Sequence, residues 1–131
     1  MITVLFQTES HYPVNRKKIK QAIIDALAPQ VHRDAEVGVT IVGDRRMKQL
    51  NGDFRNIDKT TDVLSFGLND PMTKSVPFAA VPDDVLRLGD IVISYPQAIK
   101  EAAEENQLVD DKIIELALHG LDHLMGIHHP E

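Results

Sequence analysis

The sequence predicts an α+β fold, a mixed four-stranded sheet with helices packed on one side of it. Three observations carry this reading. Strand-like and helix-like segments alternate through most of the 131 residues. Two of the connections are long, as a sheet that mixes parallel and antiparallel strands requires. The length suits one domain, here residues 1–131, that buries enough apolar surface to fold without disulfides or a structural metal.

Residues 2–7 (Ile-Thr-Val-Leu-Phe-Gln) are β-rich and form the first predicted strand. Asn15 can cap a helix from Arg16, in which Ile19, Ala22, Ile23, Ala26 and Leu27 share one face. Pro29 ends it. Its outer side carries Arg16, Lys17, Lys18 and Lys20, an ordinary solvated face. Val37, Val39 and Ile41 alternate as in a second strand. Asp44 can cap a short helix ending near Asn51-Gly52. Thr61–Phe66 reads as a third strand, and residues 69–87, with Pro71, Pro77 and Pro82, as a long loop. Gly89–Ser94 reads as a fourth strand. Ser94 and Pro96 open a helix to about Asn106, and Asp110 starts a last helix that stops at Gly126.

Composition excludes several function classes. Hydrophobic residues make up 43% and charged residues 26%, so neither disorder nor a whole-chain coiled coil fits. No apolar run reaches the roughly 18 residues of a membrane span, and the first residues carry no signal-peptide pattern. There are no cysteines, which favours a reducing, cytoplasmic setting. A net charge of −6 argues against nucleic-acid binding through bulk charge, though not against a local basic groove.

Four of the six histidines, His119, His123, His128 and His129, lie near the C-terminus. His119 and His123 are four apart, hence one turn apart on one helix face. Gly126 follows, then His129, giving His-x3-His-x2-Gly-x2-His. Metzincin zinc enzymes use this spacing: two histidines on a helix, a glycine turn, a third from the returning chain. Three neutral nitrogens with an open fourth position suit a catalytic zinc ion. His128 is a rival third ligand, but its neighbour fits the spacing better. In zincin peptidases a glutamate directly after the first histidine is the general base. Here that position is Gly120, so peptidase chemistry would need another base, such as Glu115 or Asp122.

These residues resemble the YbeY family of bacterial rRNA maturation factors, whose motif is roughly His-Gly-x-Leu-His-Leu-x-Gly-Tyr-Asp-His. The chain departs from it at Asp122, Ile127 and His128. A second block, with Leu50, Asn51, Phe54, Arg55, Asp58 and the run Thr61-Asp62-Val63-Leu64-Ser65-Phe66, is similar to the family's central block, with Thr60 where proline is common. A third runs from Leu88 to Ser94.

The resemblance implies a zincin-like fold and a zinc-dependent, single-strand-specific endoribonuclease. It implies a role in ribosomal RNA maturation, at the 16S rRNA 3′ end, and in ribosome quality control. It implies one zinc ion on His119, His123 and His129, a functional arginine at Arg55, and the small ribosomal subunit with its associated factors as partners. Cleaving a phosphodiester develops negative charge that a metal and a guanidinium fork stabilise. The plainer reading of Arg55 is a surface arginine after a helix, or an ion-pair partner of Asp53 or Asp58. Arg45, Arg46, Lys48 and Lys59 cluster near Arg55 in sequence and would supply an RNA-binding groove. Two other functions remain open: a different metal-dependent hydrolase, or a non-enzymatic ribosome assembly factor with a structural metal.

Overall fold

The structure, a computed structural model, describes residues 1–67 and 85–128. The elements in chain order are β1 (Ile2–Thr8), α1 (Arg16–Leu27), a short 3-10 turn (Ala28–Gln30), β2 (Ala35–Val42), α2 (Asp44–Arg55), β3 (Val63–Gly67), β4 (Leu86–Ser94), α3 (Tyr95–Glu104) and α4 (Val109–His128). The four strands form one mixed sheet in the order β1-β2-β4-β3. β1, β2 and β4 run parallel, and β3 lies antiparallel to β4 at the edge. Most of the long loop expected at 69–87 lies outside the described residues; its last two positions, Leu86 and Arg87, belong to β4.

Local chemistry explains the boundaries. Asn15 caps α1, its side chain accepting from the Lys18 N–H at 3.0 Å. Ser94 does the same for α3 through the Gln97 N–H at 3.3 Å. Asp44 is not the cap of α2. That position is Gly43, whose N–H donates to the Glu9 carboxylate at 2.9 Å. α2 also runs a turn past Gly52, because Phe54 packs edge-on against Phe66 and Asn56 supplies the left-handed cap at φ 59°.

Successive strand residues face opposite sides of the sheet. Val37, Val39, Ile41, Ile91 and Ile93 pack against Ile19, Ile23 and Leu27 of α1 and Ile113, Ala117, Leu121 and Leu124 of α4. On the other side, Val42, Phe66 and Val92 pack against Met47 and Leu50 of α2. Helices therefore cover both sides of the sheet, where the sequence reading expected one. The apolar side of α2 is too short to reveal in sequence which face it covers.

Gly89 permits the crossing of β4 and β3. Its φ is 135°, in the left-handed half of the map, and a Cβ there would strike the Phe66 carbonyl. It sits beside the irregularity at which β2 and β4 shift register, between Glu36 and Val37. Among the described residues no helix is long and apolar enough to cross a membrane.

Candidate active site at the edge of the sheet

The site assembles around β3. The Asp62 carbonyl accepts from the Ser94 N–H at 2.9 Å, so residues 62, 64 and 66 turn their backbone groups toward β4. Ser65 therefore turns its carbonyl to the free edge. Arg55, the last residue of α2, reaches that edge from one side of the sheet. Its Nη2 donates to the Ser65 carbonyl at 2.8 Å, its Nη1 donates to the Phe54 carbonyl at 3.3 Å, and its guanidinium carbon lies 4.8 Å from the centre of the Phe66 ring. No ion pair with Asp53 or Asp58 forms; Asp58 lies instead 3.7 Å from the Lys48 ammonium. Among the described residues the arginine is oriented by neutral partners, and no carboxylate pairs with its guanidinium.

α4 arrives from the opposite side. The Ser65 hydroxyl donates to the Gly120 carbonyl at 3.3 Å. A Cβ on Gly120 would lie 2.8 Å from Ile91 Cγ2 and 2.9 Å from Ser65 Oγ, so the helix approaches the sheet as closely as bare backbone allows. The residue after His119 thus faces the sheet, where a catalytic carboxylate could not fit. His119 and His123 lie on the exposed part of α4, four apart in unbroken helix. Two imidazoles so placed fit a divalent metal of zinc's preferences. Among the described residues no three His, Asp or Glu side chains gather as a metal-binding group, and His129 lies outside them.

One expectation is corrected here. α4 does not stop at Gly126 but continues to His128. Leu124 and Met125 are buried and hold the helix to the core, and a Cβ on Gly126 would point into open space. A glycine inside a helix costs only about 1 kcal/mol relative to alanine, which this packing offsets.

The two rival bases are poorly placed. Glu115 accepts from the Lys112 ammonium at 2.6 Å and from Gln107 at 3.3 Å, bonds that hold its carboxyl below the usual range and weaken it as a base. Asp122 shares a shallow depression with Gln30, Met125 and Gly126, beyond the first helix rather than at the β3 edge.

Three of the four other expected basic residues gather in one place, away from Arg55. Arg45, Lys48 and Lys59 line one open depression with Asp44, Asp58 and Thr60, and Arg46 donates to Gln49 at 3.1 Å. They sit toward the start of α2, whose rise of about 1.5 Å per residue puts Arg45 some 15 Å along the axis from Arg55. The depression is tied to the sheet by Asp44, which accepts from Thr60 at 3.1 Å, Ser94 at 2.8 Å and Gln97 at 3.1 Å. Sequence reasoning missed that hub. It also missed Lys112, a buried ammonium flanked by Glu101, Glu105 and Glu115. The glutamates at 101 and 105, one turn apart, were the available signal.

Comparison with known proteins gives this geometry a context. The family model described as endoribonuclease YbeY matches residues 5–131. A relative named endoribonuclease YbeY from Dehalococcoides mccartyi is 36% identical over 119 residues, covering 88% of this chain and 73% of that one. One from Moorella thermoacetica is 37% identical over 127 residues, covering 92% and 80%. One from Chloroflexus aurantiacus is 33% identical over 130 residues, covering 98% and 82%. The solution structure of TM1509 from Thermotoga maritima superposes with a TM-score of 0.59 at 22% identity, covering 92% of this chain and 71% of that one, a likeness of fold. The match along nearly the whole chain, to a family model and to three such relatives, makes this chain a member of the endoribonuclease YbeY family.

Proposed function

We propose that this endoribonuclease cleaves single-stranded RNA during ribosomal RNA maturation, using one zinc ion and Arg55. The single observation that supports it most is the convergence at Ser65. A guanidinium that has no carboxylate partner among the described residues and the helix bearing His119 and His123 meet on one strand residue. His119, His123 and His129 would hold the metal, His129 being assigned from the sequence motif alone. Zinc, when bound, supplies Lewis acidity toward a phosphoryl oxygen. Arg55 offers a bidentate fork to the same phosphate as its charge grows. The Arg45, Lys48 and Lys59 depression would carry flanking phosphates, with Arg46 assigned from the sequence alone. The small ribosomal subunit, its associated factors, ribosome quality control and a cytoplasmic setting belong to the same reading. The packed backbone at Gly120 and the engaged carboxylate of Glu115 weigh against a peptidase.

The test is cleavage of a labelled single-stranded RNA by zinc-loaded protein, beside samples with chelator, His123→Ala and Arg55→Ala. Wild-type cleavage lost with chelator and with His123→Ala supports the reading. Cleavage that survives His123→Ala overturns the assigned metal site. Zinc bound at one per chain without cleavage, on free RNA or on ribosomal particles, favours an assembly factor instead.

A further inference from the structure

Ser65 bonds to both halves of the site through different atoms. Its carbonyl, on the free edge of β3, takes the Arg55 Nη2 at 2.8 Å. Its hydroxyl, on the α4 side of the sheet, reaches the Gly120 carbonyl at 3.3 Å. Gly120 adjoins His119 and has no side chain to hold the strand away. Phe66, the next strand residue, is fully buried and gives Arg55 its ring face. Two elements from opposite sides of the sheet are thus referenced to one residue. We infer that Ser65 is a positioning residue that sets the placement of the Arg55 guanidinium relative to the helix carrying His119 and His123.

The physical reason is economy of error. Arg55 is an exposed side chain at a helix end, and such side chains sample many rotamers. The carbonyl bond and the ring contact select one. The hydroxyl bond locks β3 to α4, so a rotation of the helix cannot open the gap unnoticed by the strand. Catalytic groups misplaced by about 1 Å can lose about a hundredfold in rate, so a tether of this kind acts on turnover more than on binding. Ser65 itself touches no substrate in this account, and no base stands within its hydrogen bonds.

The kinetic arm of the test rests on the nuclease reading; the spectroscopic arm does not. Wild type, Ser65→Ala, Arg55→Ala and the double variant are compared on single-stranded RNA, with zinc titrated into each. Ser65→Ala is expected to lower kcat about tenfold, with KM within about twofold of wild type. Zinc stoichiometry and affinity stay unchanged. In the Arg55→Ala background the same substitution costs nothing further, because the residue it positions is gone. Ser65→Thr, which keeps the hydroxyl, restores part of kcat. Multiplicative losses in the double variant, or unchanged kcat in Ser65→Ala, overturn the inference. If wild type fails to cleave, the nuclease reading falls, and the inference is decided by the Arg55 Nε–H resonance in 15N spectra. A changed shift in Ser65→Ala upholds the coupling, and an identical spectrum refutes it.

Discussion

Arg55 donates to the carbonyl of Ser65 at 2.8 Å, carrying a cation from one side of the sheet to its free edge. The pairing costs the arginine none of its charge, since a neutral carbonyl orients it. Replacing it should therefore harm catalysis far more than stability. Arg55→Ala is expected to lower kcat by about a hundredfold or more, the usual effect of losing one transition-state donor. Arg55→Lys should recover little, because an ammonium cannot reproduce the planar fork that spans Ser65 and a phosphate. Urea melts of both variants should stay within about 1 kcal/mol of wild type. Steady-state cleavage and the melts together check this, and equal losses in both would show a structural role.

Gly120 should not tolerate a methyl group. An alanine Cβ would sit 2.8 Å from Ile91 Cγ2 and 2.9 Å from Ser65 Oγ. The hydroxyl can rotate away, but Ile91 is fully buried and cannot. The helix must shift, at a cost of about 1–3 kcal/mol despite alanine's better helix propensity. Chemical denaturation checks the sign. A stabilised Gly120→Ala would mean that α4 and β4 lie farther apart.

The elements were legible in sequence where their causes are local. Asn15 and Ser94 announce helix starts because each caps an N–H three residues on. Ile19, Ile23 and Leu27 announce a buried stripe by spacing alone. His119 and His123 stood out in sequence through their helical spacing, Arg55 only through the family motif. The convergence on Ser65 was not legible. Its two bonds span 10 and 55 residues, and they depend on β3 pairing antiparallel to β4 at the edge. Gly126 misled because a glycine does not by itself end a helix whose preceding turn, at Leu124 and Met125, is buried. The separation of Arg45 from Arg55 was not legible either, since nearness in sequence along a helix still separates its ends by whole turns.

Glu101 should make the protein less stable as pH rises. Its carboxyl is held above the ordinary value of 4.5 by burial and by the neighbouring Asp62, effects that outweigh the Lys112 ammonium 3.4 Å away. The folded state then binds its proton more tightly than the unfolded chain. Stability contributed by the protonated form is full below pH 4.5 and declines as pH climbs through the folded value. Glu101→Gln should remove that decline while leaving Lys112 paired with Glu105 and Glu115. Urea midpoints measured from pH 4 to pH 8 check it, and parallel curves for the two proteins would refute it.

Lys112 should be the costliest charge to remove. Its side chain is only 4% exposed, and its ammonium lies 2.6 Å from Glu115 and 2.8 Å from Glu105, which raise its pKa further. Those carboxylates are each about half exposed, at 52% and 49%, so water solvates them if the lysine is lost. The penalty is therefore below that of a fully buried pair, about 1–3 kcal/mol for Lys112→Ala. Lys112→Met keeps the aliphatic stem packed between α3 and α4 and should recover part of it. Glu115, freed of its cation, loses the cause of its lowered pKa and titrates nearer 4.5. Denaturation curves give the first two results and carboxyl titration by NMR the third. A Glu115 that still titrates low in Lys112→Met would show that Gln107, the other donor to it, governs its acidity.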